Sequence, residues 1–576
     1  MKKLVMAFIA AGGLLMMLAS TNILPAAWFA NLLSTGDQIS DAFRSILHRQ
    51  QFSLGISLLI GASLIWVLSR PALLRSMKIV PPAVFTWAPV VIAAASGAAC
   101  LLLQHFLFEN IPHVTDATCH YFQGKIFAGG RLTADAPPCP DAFYQHNMII
   151  TRDGHWFSRY PPGTALLIAI GLKVDASWLI FPLVQFLSVL AFHSLARRFF
   201  SPAMSGIATA LYAFSPMILL LGSSFMSHTP FMALALAGMS LFLAPVKDDD
   251  PETKPVLAWF SAGLLLGATV LFRPQDTFIV GLLTLICICW AGKDGWSFLK
   301  SRVAWTIAGG IIPLGLFAAY NHLVYGSAWS TGYGFGHESA LHPGIAVSLG
   351  FHEHFTLMDA VRNTLNVGYK FNYALFGWPV SLLFALFAFF NRQDRRHWLA
   401  CIFCILFVTG FFFFYSYPAY EYEARFWILL VPFCVIMSAA GFNYLFLASR
   451  FRFAAGGLLA AFVTYSVVDY WPRYIWPTYA QRYEEATRAY VEAATSFARE
   501  HEGSGCIFLI DPVEGNDFNF SSGFIFNDPG LTNQIIFARH LAGRTDCLTD
   551  AFPDRTPVIM RAAADPFTIT LSPLPD

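Results

Sequence analysis

The stretch Leu101-Leu102-Leu103-Gln104-His105-Phe106 closes a long apolar run. Pro112-His113-Val114-Thr115-Asp116-Ala117-Thr118-Cys119-His120-Tyr121-Phe122-Gln123-Gly124-Lys125-Ile126-Phe127-Ala128-Gly129-Gly130-Arg131-Leu132 follows it. The run at 84–108 is long enough to cross a bilayer, which needs about 20 mostly apolar residues. Asp116 therefore falls just past the end of a span, at a membrane surface. Behind it, Tyr121, Phe122, Lys125 and Phe127 recur at helical spacing over 117–128, which fits an amphipathic helix lying in the interface.

Working outward, the same apolar signal repeats. Candidate spans lie at 4–20, 52–69, 84–108, 178–196, 204–222, 229–245, 256–272, 275–292, 303–320, 372–391, 397–415, 425–446 and 453–470, about thirteen in all. Composition agrees: 56% of the 576 residues are hydrophobic and 12% charged, against about 25% charged in soluble domains. The mean hydropathy is +0.55. A net charge of +1 gives no electrostatic case for nucleic acid. Met1-Lys2-Lys3 followed by Leu4 to Ala19 resembles a signal peptide, and reads better as an uncleaved first helix.

Lys and Arg in short loops set orientation. With Lys2 and Lys3 inside, alternate counting places the clusters Arg70/Arg75/Lys78, Arg197/Arg198, Lys247/Lys254, Lys293/Lys300/Arg302, Arg392/Arg395/Arg396 and Arg450/Arg452 on the cytoplasmic side. Three long segments, 109–177, 321–371 and 471–576, then lie outside. The expected organisation is a transmembrane domain over 1–470 and an extracytoplasmic domain over 471–576. In the latter, 474–500 has a helical pattern, while Cys506-Ile507-Phe508-Leu509-Ile510-Asp511 and Pro557-Val558-Ile559-Met560 read as short buried strands. The fold class is thus an all-α polytopic membrane protein with a small C-terminal α/β domain. Lysine start, short inner loops and outer cysteines suit a bacterial inner (plasma) membrane.

Of ten cysteines, six fall in spans; Cys119, Cys139, Cys506 and Cys547 fall outside. In an oxidising compartment they suggest two disulfides, Cys119 with Cys139 and Cys506 with Cys547, the alternative being free thiols.

Further motifs follow in order: Trp156-Phe157-Ser158-Arg159-Tyr160-Pro161-Pro162-Gly163, Met226-Ser227-His228-Thr229-Pro230, Gly263 to Gly267 leading into Phe272-Arg273-Pro274, and Tyr422-Glu423-Ala424-Arg425-Phe426. With Asp116 and the Ala128-Gly129-Gly130-Arg131-Leu132 element, this series over roughly 84–446 resembles the membrane-embedded, C-type (GT-C) glycosyltransferases of the protein-O-mannosyltransferase and aminoarabinose-transferase kind. The resemblance implies an enzyme that takes a sugar from a polyprenyl-phosphate donor and places it on a cell-envelope acceptor (lipid-linked glycan, lipid or protein) outside the cytoplasm. It implies inversion at the anomeric carbon, with Asp116 as general base. The family commonly has Asp-Glu where this chain has Asp116-Ala117, so the second carboxylate is missing.

The residues support that chemistry by themselves. An attacking hydroxyl needs a carboxylate to take its proton. A phosphate leaving group needs cations rather than an acid, and Arg425, Arg159, Arg273 and Lys125 are the candidates. His228, Trp156 and Tyr333 are candidate substrate contacts. No cofactor is expected; a divalent metal stays open as an alternative. Structural alternatives stand beside these readings. Asp116 also suits a helix N-cap, Arg425 a pair with Glu421 or Glu423, Lys125 and Arg131 contact with lipid headgroups, Arg273 snorkelling to an interface, His228 a structural interface histidine, and Trp156 and Tyr333 an interfacial belt. His352-Glu353-His354 reads as a chance occurrence. The competing function classes are a carrier or flippase for lipid-linked sugars and a non-catalytic scaffold. Polar material gathered on one face favours the enzyme.

Overall fold

The computed structural model describes residues 53–64 and 82–574 together with isolated positions between 7 and 14, with breaks at 145–148, 244–254, 292–295, 335–354, 391–394, 414, 416–421, 423, 448–451, 484–485, 502–504, 512–522, 542–544 and 565–566. The expected span at 4–20, the His352-Glu353-His354 motif, Glu421, Glu423 and the basic clusters at 70–78, 247–254 and 392 lie outside the described residues.

Helices dominate, as the apolar runs require in a medium that offers the backbone no hydrogen bonds. In chain order they are α1 Ser53–Leu64, α2 Pro82–Phe106, α3 Thr115–Ala128, α4 Pro162–Lys173, α5 Ser177–Ala196, α6 Pro202–Ala213, α7 Pro216–Gly222, α8 His228–Phe242, α9 Val256–Ala268, α10 Pro274–Ala291, α11 Trp296–Tyr325, α12 Leu357–Phe376, α13 Leu383–Ala388, α14 Arg395–Phe411, α15 Leu430–Leu447 and α16 Arg452–Tyr465. Among the described residues five helices are long and apolar enough to cross a membrane, or six if the pair α6–α7, bent by 60°, counts as one span. Among the described residues the expected spans at 229–245 and 256–272 are shorter apolar helices, α8 and α9, of 15 and 13 residues.

Two expectations are corrected. The run at 372–391 is not one span. Helix α12 begins earlier, at a capping box in which Thr356 Oγ1 accepts from the Asp359 amide and the Asp359 carboxylate accepts from the Thr356 amide. It stops at Gly377, whose φ of 71° breaks the helix before Trp378-Pro379, and α13 is a separate short piece. The segment 109–177, expected outside, also holds an apolar helix, α4, which the sequence pattern leaves as loop. Its 12 residues reach only about 18 Å, short of a bilayer core of about 30 Å.

Helices α5 and α8 run parallel. Near their C-terminal ends Ser194 and Ser240 hydroxyls meet at 2.7 Å and Arg198 Nη2 donates to the Ser240 carbonyl at 3.2 Å. Arg302 lies over the Phe242 and Trp259 rings at the same end. His228 opens α8 at the opposite end, about 18 Å away along the axis. The bundle thus carries these basic side chains at one end and the polar face described below at the other.

On that other face, strands β1 Ala134–Asp135, β2 Ile149–Arg152 and β3 His155–Ser158 form an antiparallel sheet in the order β1-β3-β2. Past α16 the helix continues, as a π-helical stretch Ser466–Ile475 and then α17 Trp476–Tyr483, beyond the expected boundary at 470. Next come α18 Ala486–Glu500, β4 Gly505–Ile510, β5 Ile535–Arg539, α19 Asp546–Ala551, β6 Arg555–Ala564 and β7 Phe567–Pro573. The sheet order is β5-β4-β6-β7, with β4 parallel to β5 and β6, and β7 antiparallel. The expected strands at 506–511 and 557–560 are β4 and part of β6.

The segment 109–177 and this C-terminal domain share one core. Trp156 is 1% exposed and packs between Phe122, Phe143 and Phe524 at ring distances of 4.6, 6.0 and 5.7 Å. The two expected disulfides are replaced by one, Cys139–Cys547, while Cys119 and Cys506 are buried free thiols. The reason is tertiary: Cys119 faces inward from α3, Cys506 inward from β4, and the docking of the two regions sets Cys139 against Cys547. Non-reducing peptide mapping is expected to recover a Cys139–Cys547 linked peptide. Cys139→Ser should destabilise the docked segment 109–177 and C-terminal domain by about 2–4 kcal/mol, whereas Cys119→Ser leaves the linked peptide intact. Linkage of Cys119 to Cys139 in the mapping would refute this docking.

Candidate active site

The site forms where chain ends converge on the polar face. Helix α3 begins with Val114 as its cap residue, and no side chain caps it, so Asp116 in the first turn is not an N-cap. Its carboxylate is free to reach outward. One oxygen, Oδ1, accepts from the Tyr160 hydroxyl at 2.6 Å; the other, Oδ2, lies 3.2 Å from Arg425 Nη2. Tyr160 follows β3, and Arg425 sits in a 3-10 turn, Arg425–Trp427, just before α15. That turn is anchored by Tyr422, 1% exposed, whose ring packs on Phe108 and Tyr479.

Asp116, His120, Arg159, Tyr160, His228, Arg273, Asp276, Tyr333 and Arg425 line one cavity of about 160 Å³, closed on the apolar side by Phe272, Phe412, Tyr415 and Phe426. Arg159 lies over the Tyr333 ring at 4.8 Å. Gly332 permits that approach, since a Cβ there would stand 2.1 Å from the Arg159 carbonyl oxygen. Arg273, between α9 and α10, forms a close ion pair with buried Asp276 and donates from Nη1 to His228 Nε2 at 3.0 Å. A guanidinium has no acceptor, so His228 Nε2 accepts and that imidazole is neutral. The N-termini of α3, α8 and α10 also meet here, each adding partial positive charge. Among the described residues lining the cavity, three arginines face two aspartates, a net of one positive charge. That balance, with forked donors, suits an anionic phosphate.

The electrostatics keep the Asp116 carboxylate charged. Burial pushes the Asp116 carboxyl up. The Arg425 guanidinium, then the Tyr160 hydroxyl, and behind them His120 and Arg159 outweigh that, so the group titrates below its ordinary value of 3.8. Tyr160 moves the other way: burial and the neighbouring Asp116 charge raise its phenol well above 10, so it stays a donor. Burial drives His120 down to about 4, against the pull of Asp116, leaving it neutral at pH 7.

The structure thus brings together Asp116, Arg159, Arg273, Arg425, His228 and Tyr333 from the sequence reading. It does not bring in the other two. Trp156 is sealed in the core, because its position on β3 points it toward α3 and the C-terminal domain. Lys125, at the far end of α3, donates instead to the Ile525 and Asn527 carbonyls at 2.6 and 2.9 Å. Helix α3 is correspondingly not an interfacial amphipathic helix: Ala117, Cys119, His120, Phe122, Gln123, Gly124 and Ile126 are all buried between neighbours. Tyr160, Asp276 and His120 were missed. Tyr160 and His120 lie inside quoted motifs, but nothing local marks them; Asp276, three residues after Arg273, had the spacing of a helical ion pair as a signal. Among the described residues no group of three or more His, Cys, Asp or Glu could hold a metal ion.

No family model and no curated protein matches the chain. Solved structures do resemble it. ArnT from Cupriavidus metallidurans bound to undecaprenyl phosphate aligns at 11% identity and a TM-score of 0.49, covering 83% of this chain and 93% of that one. The Archaeoglobus fulgidus oligosaccharyltransferase in the apo form aligns at 12% identity and 0.46, covering 83% and 70%. The oligosaccharyltransferase AglB of that organism, in complex with an inhibitory peptide and a dolichol-phosphate, aligns at 10% and 0.44, again covering 83% and 70%. Both proteins are GT-C glycosyltransferases.

The local balance makes a testable ordering. Removing either partner should raise the Asp116 carboxyl pKa, Arg425→Met more than Tyr160→Phe, because the guanidinium is the larger opposing influence to burial. Infrared titration of the Asp116 carboxyl stretch checks the order; a larger rise in Tyr160→Phe would overturn it.

Proposed function

We propose that this chain is a multi-pass membrane glycosyltransferase that moves a sugar from a polyprenyl-phosphate donor to a cell-envelope acceptor on the extracytoplasmic face. The observation that carries this reading is one cavity in which an ionised carboxylate, Asp116, stands beside Arg425 and opens onto Arg159 and Arg273. The basic end of the bundle at Arg198 and Arg302 lies away from the cavity, which supports a cytoplasmic N-terminus and an outward-facing site in an inner membrane.

In the reaction the acceptor hydroxyl oxygen attacks the anomeric carbon, and its proton passes to Asp116. The carbon–oxygen bond to phosphate breaks, and polyprenyl phosphate departs with the electron pair. Attack opposite the leaving group inverts the anomeric centre. Arg159, Arg273 and Arg425 hold the phosphate oxygens and take up the developing charge, acting where charge appears in the transition state. His228 and Tyr333 offer contacts to the sugar. Asp276 does not replace the carboxylate missing at Ala117, since it is committed to Arg273.

The deciding assay reconstitutes the parent and Asp116→Asn with a panel of polyprenyl-phosphate sugars. Turnover by the parent and a loss of roughly 10²–10⁴-fold in the variant are expected for a lost general base. Equal turnover removes Asp116 from that role. Donor binding without turnover of any donor favours a carrier or scaffold.

A further inference from the structure

Helix α3 is a rod with Asp116 in its first turn and Lys125 in its last, about 14 Å apart. On one side it meets α4 so closely that a Cβ on Gly124 would stand 2.7 Å from Ile168 Cγ2. On the other it meets the C-terminal domain. There the part-buried Lys125 ammonium spends donors on the Ile525 and Asn527 carbonyls, with the Tyr121 ring at 5.6 Å. Burial pulls it down to about 8 against the opposing influence of Asp528, so it is charged at neutral pH. Phe122 on the same helix packs on Phe524 at 5.3 Å. The Cys139–Cys547 bond and an Arg539 donation to the Tyr144 carbonyl at 2.7 Å fasten the same two regions.

The cations of the site come from elsewhere. Arg159 follows β3, Arg273 joins α9 to α10, and Arg425 precedes α15. A small slide of α3 would therefore shift Asp116 against a donor held in place by the arginines. We propose that Lys125 is a positioning residue: through segment 523–528 the C-terminal domain fixes α3 along its axis, and so sets the reach of Asp116 in the transfer reaction proposed above, on which this inference rests. The domain is then part of the catalytic unit and not an appended module.

The reading separates kinetically from a direct role of Lys125 at the donor phosphate. Asp116 faces Arg425, Tyr160, Arg159 and His120. Drawing it away from Arg425 raises its pKa, so the acid limb of kcat moves to higher pH. In Lys125→Met we expect that movement, a fall in kcat of up to about 10²-fold, as for a displacement near 1 Å, and an unchanged donor KM. Lys125→Arg, which keeps donors for the carbonyls, should recover much of the loss. A raised donor KM at unchanged kcat would return Lys125 to the phosphate and overturn the proposal, as would an unmoved acid limb. Hydrogen exchange of the 115–128 amides, compared at one pH between the parent and Lys125→Met, reads the coupling without turnover. Faster exchange in the variant supports it, and equal exchange overturns it. A parent that turns over no donor, with exchange altered, defeats the transferase reading alone.

Discussion

The contact between Asp116 and Arg425 is the constraint on which the rest of the polar face depends. A carboxylate and a guanidinium in a mostly apolar bundle are stable only together, because leaving either charge alone in a buried site costs several kcal/mol. The pair joins the segment after α2 to the approach of the late span α15, so both must arrive at one place. Tyr422, wedged against Phe108 and Tyr479, delivers the arginine. Helix α3, held between α4 and the C-terminal domain, delivers the aspartate.

From that pair the chemistry is built outward by division of labour between elements. Asp116 rides on a helix outside the bundle, while Arg273 and Arg425 sit at helix starts and Arg159 follows the strand before α4. This arrangement carries the carboxylate and the guanidinium groups on separate elements. It also explains why one end of the bundle is crowded with aromatic and polar side chains: the Tyr333 ring beneath Arg159 and the Asp276 carboxylate against Arg273 fix the guanidinium planes, which spreads the cost of holding three cations close together.

Much of the architecture was legible because membrane burial writes itself into composition. A span must satisfy its backbone internally and its side chains must be apolar, so runs such as 84–108, 178–196 and 425–446 declare themselves. What misled was length. The apolar run at 372–391 straddles Gly377-Trp378-Pro379, where backbone conformation and not hydropathy ends the helix. The capping signature Thr356 to Asp359 was present in a segment treated as loop. Helix α3 looked amphipathic from four residues, yet both of its faces are covered by protein.

The candidate site was legible in part. Asp116, Arg159, Arg273, His228, Tyr333 and Arg425 carried local signals, since ionisable residues at span ends stand out against an apolar background. Their partners did not. Amino-acid order alone determined that the chain is a helical membrane protein, and its pattern marked the strands at 506–511 and 557–560 of a small α/β region that follows. Only the tertiary structure decided that Cys139 bonds Cys547, that Trp156 fills a core, that Lys125 grips a distant backbone, and that Tyr160 and Arg425 share Asp116. Hydropathy and charge act on each residue where it stands, so they can be read along the chain. Pairing energies depend on which remote segments pack together, and no local pattern carries that information.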